Sequence, residues 1–75
     1  MQLRIKLMGT LREKSPPSDV LDVAEGTSVA DVLKQLEIAD DDVQAVMVND
    51  KLEIDRGHSL SADDEVTVLG TVGGG

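Results

Sequence analysis

One amphipathic helix flanked by strand-like segments is the feature that most constrains the fold of this chain. Its apolar residues recur at helical spacing and form one stripe: Val29, Val32, Leu33 and Leu36. Ser28 is a candidate N-cap, and Asp31, three residues later, completes a capping box with Asp in the place of Glu. A helix that begins here should end near Glu37. With a single apolar stripe it can cover one face of one sheet, so an α+β domain is predicted.

The segments on both sides of the helix carry the two-residue period of β-strands. In residues 2–8, Leu3, Ile5 and Leu7 point to one side and polar residues to the other. The cluster Ser15-Pro16-Pro17-Ser18 cannot continue a β-ladder, so it should form a long hairpin loop. The chain after Thr10 is expected to enter this loop. The other predicted strands are residues 19–24, 43–49, 52–54 and 65–69.

The order of these elements limits how the strands can pair. An opening hairpin, a crossover helix and a third strand leave the first and last strands free to pair in parallel at the sheet centre. This arrangement is the β-grasp fold, or ubiquitin-like roll: a mixed four- to five-stranded sheet with one main helix on one face. Residues 1–70 are predicted to form this domain, and residues 71–75 a flexible tail. The residues expected beneath the helix are Leu3, Ile5, Leu7, Val46, Val48, Val66 and Val68.

Composition excludes several classes of function. The chain has no Cys and a single His, so disulfides, thiolate chemistry and metal-ligand spacing are absent from the sequence. The run Asp40-Asp41-Asp42 is expected to be a solvated loop, since three adjacent Asp do not form a calcium loop. A domain of 75 residues leaves little room for a deep cleft. We therefore expect no metal site.

Charge and hydropathy bear on partners and location. The formal net charge of −8 argues against nucleic acids and anionic membranes as partners, because both are negatively charged. No apolar run approaches the roughly 20 residues that cross a bilayer. No basic and apolar leader is visible, and a reducing cytoplasmic location is the expectation.

The sequence finishes on Val72-Gly73-Gly74-Gly75, directly after the last predicted strand. Glycine has no Cβ, so this segment is thin and can adopt almost any backbone angle. Two interpretations remain open at this point. It could be a frayed, low-complexity end. Alternatively, the carboxylate of Gly75 is a reactive group, and the slim spacer Gly73-Gly74 lets a narrow enzyme tunnel close around it.

Several stretches resemble the small subunit of molybdopterin synthase and its relatives, the MoaD/ThiS sulfur carriers. The resemblance spans the whole chain and favours the molybdopterin branch, for which Gly9-Thr10-Leu11-Arg12-Glu13 is typical. The chain departs from the family pattern at Met8, Asp63, Gly70-Thr71 and Gly73. The stretches that carry the resemblance are residues 5–13, 26–33, 46–49, 60–66 and the Gly74-Gly75 end.

The resemblance implies a chemistry for Gly75. An E1-like adenylyltransferase would use ATP to convert the carboxylate to an acyl-adenylate. A persulfide sulfur donor would displace AMP and leave a thiocarboxylate. That sulfur would pass to an acceptor, here the large subunit of molybdopterin synthase. The catalytic groups would lie on these partners, so the resemblance implies a carrier that binds no cofactor and catalyses nothing by itself. Relatives also supply sulfur for thiamine, tRNA thiolation and cysteine synthesis, or act as ubiquitin-like modifiers of other proteins, and these alternatives stay open.

A carrier of this kind needs a surface on which its partners dock. The sheet face away from the helix is predicted to display Arg4, Lys6, Met8, Met47, Thr67 and Leu69. Met8, Met47 and Leu69 could form an adaptable apolar patch near the tail, and Val72 would continue it. The simpler interpretation is that single exposed apolar residues are ordinary on a protein surface.

Overall fold

The computed structural model describes residues 1–71, which form one five-stranded sheet and one α-helix. The strands are β1 Gln2–Met8, β2 Val20–Asp22, β3 Val43–Val48, β4 Lys51–Leu52 and β5 Glu65–Gly70, and the helix is α1 Val29–Gln35. Short 3₁₀ turns cover Gly9–Lys14, Pro17–Asp19 and Asp40–Asp42.

The strand order is β2-β1-β5-β3-β4. β1 and β5 pair in parallel at the centre, with Ile5 opposite Val66, whereas the other three pairings are antiparallel. The first and last strands are therefore neighbours, as the sequence predicted, and the sheet is mixed. This is the β-grasp topology, with β5 as the central strand.

The helix begins where its capping box predicts. The hydroxyl of Ser28 accepts a hydrogen bond from the Asp31 N–H at 3.2 Å, and the Asp31 carboxylate accepts one from the Ser28 N–H at 3.1 Å. The helix ends at Gln35, slightly before the predicted end near Glu37. Glu37 has φ 58°, in the left-handed region, and a helix cannot continue through that conformation.

The apolar stripe of α1 packs on one face of the sheet. In β1 the buried and exposed residues alternate as predicted, and Leu3 is fully buried. All seven residues predicted beneath the helix are buried, and so are the four residues of the helix stripe. The core also contains residues from outside these patterns, namely Leu11, Val23, Ile38 and Leu60. Leu11 is buried because the segment after β1 is a compact 3₁₀ turn rather than the open loop expected from sequence.

β3 and β5 end within one residue of their predicted ends, whereas β2, which ends at Asp22 rather than residue 24, and β4 differ more. The starts of β2 and β4 differ for local backbone reasons. β2 begins at Val20 rather than residue 19, because Ser18 and Asp19 both have positive φ and cannot extend a strand. β4 is Lys51–Leu52 rather than residues 52–54. Asn49 and Asp50 have φ 52° and 68°, the two left-handed residues of a tight hairpin, so pairing resumes at once with Lys51.

Candidate docking face and tail root

The end of β5 lies in the middle of the sheet, between its two neighbouring strands. Leu69 is opposite Met8 of β1 on one side and Ala45 of β3 on the other. The residues that follow β5 therefore leave from the C-terminal end of the central strand, in the middle of the sheet. The two residues that follow Leu69 are Gly70 and Thr71, and we call them the tail root.

Gly70 is packed against the turn that follows β1. A Cβ added to Gly70 would lie 2.8 Å from Thr10 Oγ1, 2.9 Å from Leu11 Cγ and 3.1 Å from the Met8 carbonyl oxygen. Contacts below 3.0 Å are too short for real Cβ atoms. Glycine is needed at this position because β5 and the Gly9–Lys14 turn approach closely, and no side chain fits between them.

Thr71 is held by hydrogen bonds from two sides. Its N–H donates to the Asp42 carbonyl oxygen at 3.0 Å. Its carbonyl oxygen accepts from Thr10 Oγ1 at 3.2 Å. The tail root is thus tied both to the turn after β1 and to the Asp40–Asp42 turn before β3. The residues predicted to carry the chemistry and continue the patch lie outside the described range: Val72, Gly73, Gly74 and Gly75.

The sheet surface away from α1 carries the predicted docking residues, and we call it the open face. Arg4 and Lys6 are exposed, and Met8 is 40% exposed. Met47 and Leu69 are half-buried. The structure therefore brings these five residues to one face, although only Met8 of the three apolar residues is freely accessible.

Thr67 is the exception among the residues predicted to be open. It is only 3% exposed, although its side chain belongs to the same face. β5 is the central strand, and Thr67 pairs with Lys6 of β1 and Met47 of β3, whose longer side chains flank it. The sequence prediction of an exposed Thr67 is therefore wrong, because alternation along one strand says nothing about its neighbours.

Two exposed apolar residues extend the open face beyond the sequence prediction. Leu52 is 67% exposed and lies opposite Met47, and Ile54 is 82% exposed just beyond β4. With Ala45 they line a shallow groove of about 390 Å³. The signal for them was present in the sequence, since they alternate with polar residues in a segment predicted to be a strand.

Cationic residues flank the apolar part of this face. A second shallow groove, of about 640 Å³, lies beside β1 and has Lys6, Met8 and Arg12 in its lining, together with one acid, Asp19. Cations outnumber acids in this lining, although the whole chain has a net charge of −8. Within residues 1–71, Arg56 pairs with Asp40 at 2.9 Å, and His58 Nδ1 lies 3.2 Å from a Glu53 carboxylate oxygen. None of these four residues lines the second groove.

Other kinds of site find no support in the part of the chain that the structure describes. Over residues 1–71, no three His, Asp or Glu side chains come together as a metal site would need. None of the helices in that range is long and apolar enough to cross a membrane.

The Asp40–Asp42 segment is a 3₁₀ turn. The Asp40 carboxylate pairs with Arg56, and the Asp42 carbonyl oxygen accepts a hydrogen bond from the Thr71 N–H.

Comparison with known proteins agrees with this geometry. The ThiS family model matches residues 5–75. The crystal structure of SAMP1 from Haloferax volcanii matches with a TM-score of 0.70 and 22% identity over 100% of both chains. A crystal structure of H. volcanii small archaeal modifier protein 1 matches with a TM-score of 0.71 and 22% identity, covering 95% of this chain and 98% of that one. At this identity the two structures support the fold alone.

No curated protein matches the chain. The family match covers nearly the whole sequence, and it includes both the β-grasp domain and the glycine run at residues 73–75. Members of this family are small ubiquitin-like proteins that act as carriers rather than as catalysts, and they generally work with E1-like activating enzymes. The chain therefore belongs to the ThiS family of ubiquitin-like proteins.

Proposed function

We propose that this protein is a sulfur carrier whose Gly75 carboxylate is activated and converted to a thiocarboxylate. The observation that carries the proposal is the ThiS family match, which runs through residue 75 and so includes the glycine run. The structure supports it through the position of the tail root, which follows the central strand and lies beside the open face. A partner that docks on that face would have the emerging tail within reach.

The chemistry needs a partner because a carboxylate is a poor electrophile. An E1-like enzyme would transfer AMP from ATP to the Gly75 carboxylate and release pyrophosphate. A persulfide would then attack the acyl carbon and expel AMP. A thiol that cleaves the resulting acyl disulfide would leave the thiocarboxylate on Gly75. Gly73 and Gly74 serve as the slim spacer that reaches the adenylation centre, and the protein itself binds no cofactor.

The open face is the proposed docking surface for these enzymes. Exposed apolar contact area is offered by Met8, Leu52 and Ile54. The half-buried side chains of Met47 and Leu69 lie between them on the same face. Arg4 and Lys6 add positive charge along β1. Methionine side chains are flexible and adapt to differently shaped partners, which suits a carrier that must meet both an activating enzyme and an acceptor.

For the acceptor we propose the large subunit of a molybdopterin synthase, in molybdenum or tungsten cofactor synthesis. The support is the sequence resemblance at Gly9-Thr10-Leu11-Arg12-Glu13. The turn also lines the tail root, and this position supports a contact between the turn and the acceptor. The other sulfur-transfer routes, to thiamine, tRNA or cysteine, share the same activation step and differ only in the acceptor.

A second candidate function is protein modification. It is favoured by the structural match to a protein named small archaeal modifier protein 1. In that case the acyl-adenylate of Gly75 would end as an amide on a lysine of a target protein. Both functions use adenylation, so they are separated by the final product.

The decisive experiment is the intact mass of the protein purified from its own cells, alongside a variant that lacks Gly74 and Gly75. A sulfur carrier should show a species that is heavier by the difference between sulfur and oxygen, and an alkylating reagent should trap it. A modifier should instead give larger conjugates, and these should disappear in the truncated variant. If the protein from its own cells shows neither species, and the purified E1-like enzyme with ATP and a persulfide donor forms no thiocarboxylate, the proposed function is wrong.

A further inference from the structure

We propose that Thr10 is a positioning residue that fixes Thr71, the last residue before the Val72-Gly73-Gly74-Gly75 segment. This inference rests on the proposed function, because it concerns how the Gly75 carboxylate is presented to the activating enzyme. Thr10 lies in the Gly9–Lys14 turn, 61 positions before Thr71, and its hydroxyl donates to the Thr71 carbonyl oxygen at 3.2 Å. The proposal is that this bond, together with the bond from Thr71 to Asp42, clamps the tail root.

The clamp uses groups on three separate segments. Thr10 follows β1, Asp42 precedes β3, and Thr71 follows β5, so the bonds join both neighbours of the central strand across its end. Gly70 makes the approach possible, because any Cβ there would displace the Thr10 hydroxyl. Gly9, with φ 69°, begins the turn that presents Thr10, and its own Cβ position faces Gly70.

The consequence of the clamp is a defined tether length. Thr71 is followed by four residues in the sequence, the last of which carries the carboxylate that we propose is activated. If Thr71 were free, the tether would lengthen and the carboxylate would sample a larger volume. Its effective concentration at a partner's adenylation centre would then fall, since this concentration decreases with tether length. A fixed root also keeps the exit direction constant relative to the open face.

A positioning role for Thr10 would affect the rate of adenylation, whereas a purely structural role would affect the stability of the domain. Thr10 is exposed, and its bond to Thr71 lies at the end of the sheet, away from the core beneath α1. Loss of its hydroxyl should therefore change the rate of adenylation more than the stability of the domain. The affinity for the activating enzyme, which depends on the open face, should change little.

The test uses Thr10→Val, which removes the hydroxyl, and Thr10→Ser, which keeps it. Thr27→Val is the matched control, because Thr27 Oγ1 also donates to a backbone carbonyl, that of Ala24, at 2.6 Å, but far from the tail root. Two measurements are made on the full-length proteins. One is kcat and KM for ATP-dependent adenylation by the E1-like enzyme of the source organism, and the other is the hydrogen-exchange rate of the Thr71 amide.

For Thr10→Val we expect kcat to fall roughly two- to tenfold, the range of one net hydrogen bond, with KM nearly unchanged. Thr71 amide exchange should accelerate by a similar factor. Thr10→Ser should restore both values, and Thr27→Val should leave both unchanged. Unchanged kcat and unchanged Thr71 exchange in Thr10→Val would overturn the inference.

The inference and the proposed function can fail separately. If the wild-type protein is not adenylated at all, the proposed function fails, and the exchange rate of Thr71 alone decides whether the clamp exists. If the wild type is adenylated and Thr10→Val behaves like Thr27→Val in both measurements, the proposed function stands and the positioning role of Thr10 is rejected.

Discussion

Gly70 and Thr10 lie so close that a Cβ on Gly70 would be 2.8 Å from the Thr10 hydroxyl oxygen. The two residues are far apart in sequence, yet this contact joins the end of the central strand to the turn after the first one. It explains why the last residue of β5 is a glycine even though glycine is unfavourable inside strands. The contact also places the Thr10 hydroxyl within hydrogen-bonding distance of the residue that follows.

The first prediction concerns Gly70→Ala. The added methyl group would overlap both Thr10 Oγ1 and Leu11 Cγ, and Leu11 is a buried core residue that cannot easily move. We expect the free energy of unfolding to fall by about 1–3 kcal/mol, the usual cost of overpacking. Urea unfolding followed by circular dichroism measures it. Gly57→Ala is the control, since its Cβ would meet only the Asp55 carboxylate at 3.3 Å. An equal effect of both changes would contradict the close packing at Gly70.

The second prediction uses a pair of leucines. Leu3 is fully buried in β1, whereas Leu52 in β4 is 67% exposed. Leu3→Ala should lower the free energy of unfolding by about 2–5 kcal/mol, because it leaves a cavity in the core. Leu52→Ala should change it by no more than about 0.5 kcal/mol. Both variants lose the same atoms, so burial is the variable in the same urea titration. Similar losses would show that the core is not where the structure places it.

The third prediction concerns the pH dependence of stability. The pKa of Asp31 is held below its ordinary value of 3.8 mainly by the hydrogen bond from the Ser28 backbone N–H and next by the Ser28 hydroxyl. A depressed folded-state pKa stabilises the protein above the unfolded-state pKa, and this contribution is lost as the pH falls through the folded-state value. Asp31→Asn should therefore be less stable than wild type at pH 7, and the difference should shrink below about pH 3.8.

Urea unfolding of both proteins at pH 7, 4 and 2.5 measures this difference. Asp41→Asn, in the exposed Asp40–Asp42 turn, controls for the loss of one negative charge. A difference between wild type and Asp31→Asn that stays constant over this range would mean that the capping box does not couple to protonation.

The fourth prediction tests the open face. Met8 is exposed beside the tail root, so Met8→Glu should leave the free energy of unfolding within about 0.5 kcal/mol of wild type. It should raise the KM for adenylation about fivefold or more, because docking would bury a carboxylate against apolar surface. Leu69→Glu should also block activation, but Leu69 is half-buried, so its effect on folding must be measured too.

Ala24→Glu is the matched control for Met8→Glu, since it places the same charge on an exposed residue in the loop before α1. Steady-state adenylation kinetics with the E1-like enzyme compare the two variants. Equal KM values for Met8→Glu and Ala24→Glu would remove the open face from the docking hypothesis and leave the tail as the sole determinant of recognition.

Much of the fold could be predicted because its signals are local. The alternation of Leu3, Ile5 and Leu7 sets one face of β1, and the capping box of Ser28 and Asp31 sets the start of α1. The turn residues Asn49 and Asp50 mark the hairpin, although the first residue of β4 depends on both having positive φ. Each of these features arises from backbone sterics or hydrogen bonds within a few residues, and a sequence records such neighbours directly.

The site was predicted less completely because its parts come from distant segments. The open face was predicted from alternation, but the burial of Thr67 depends on the residues of β1 and β3 beside it. Leu52 and Ile54 were missed as members of the face because their alternation does not say which side of the sheet they occupy, and that depends on the pairing of Leu52 with Met47. The chemistry assigned to Gly75 remains a proposal drawn from the family, since that residue lies outside residues 1–71.

The sequence by itself determined the β-grasp order of elements, the all-aliphatic core and the membership of a family with a glycine run at residues 73–75. Only the tertiary structure decided that Thr10, Asp42 and Thr71 meet at one end of the sheet. The physical reason is that periodicity encodes the face on which a residue lies. Contacts between residues 61 positions apart depend instead on how strands pair and how closely their backbones approach.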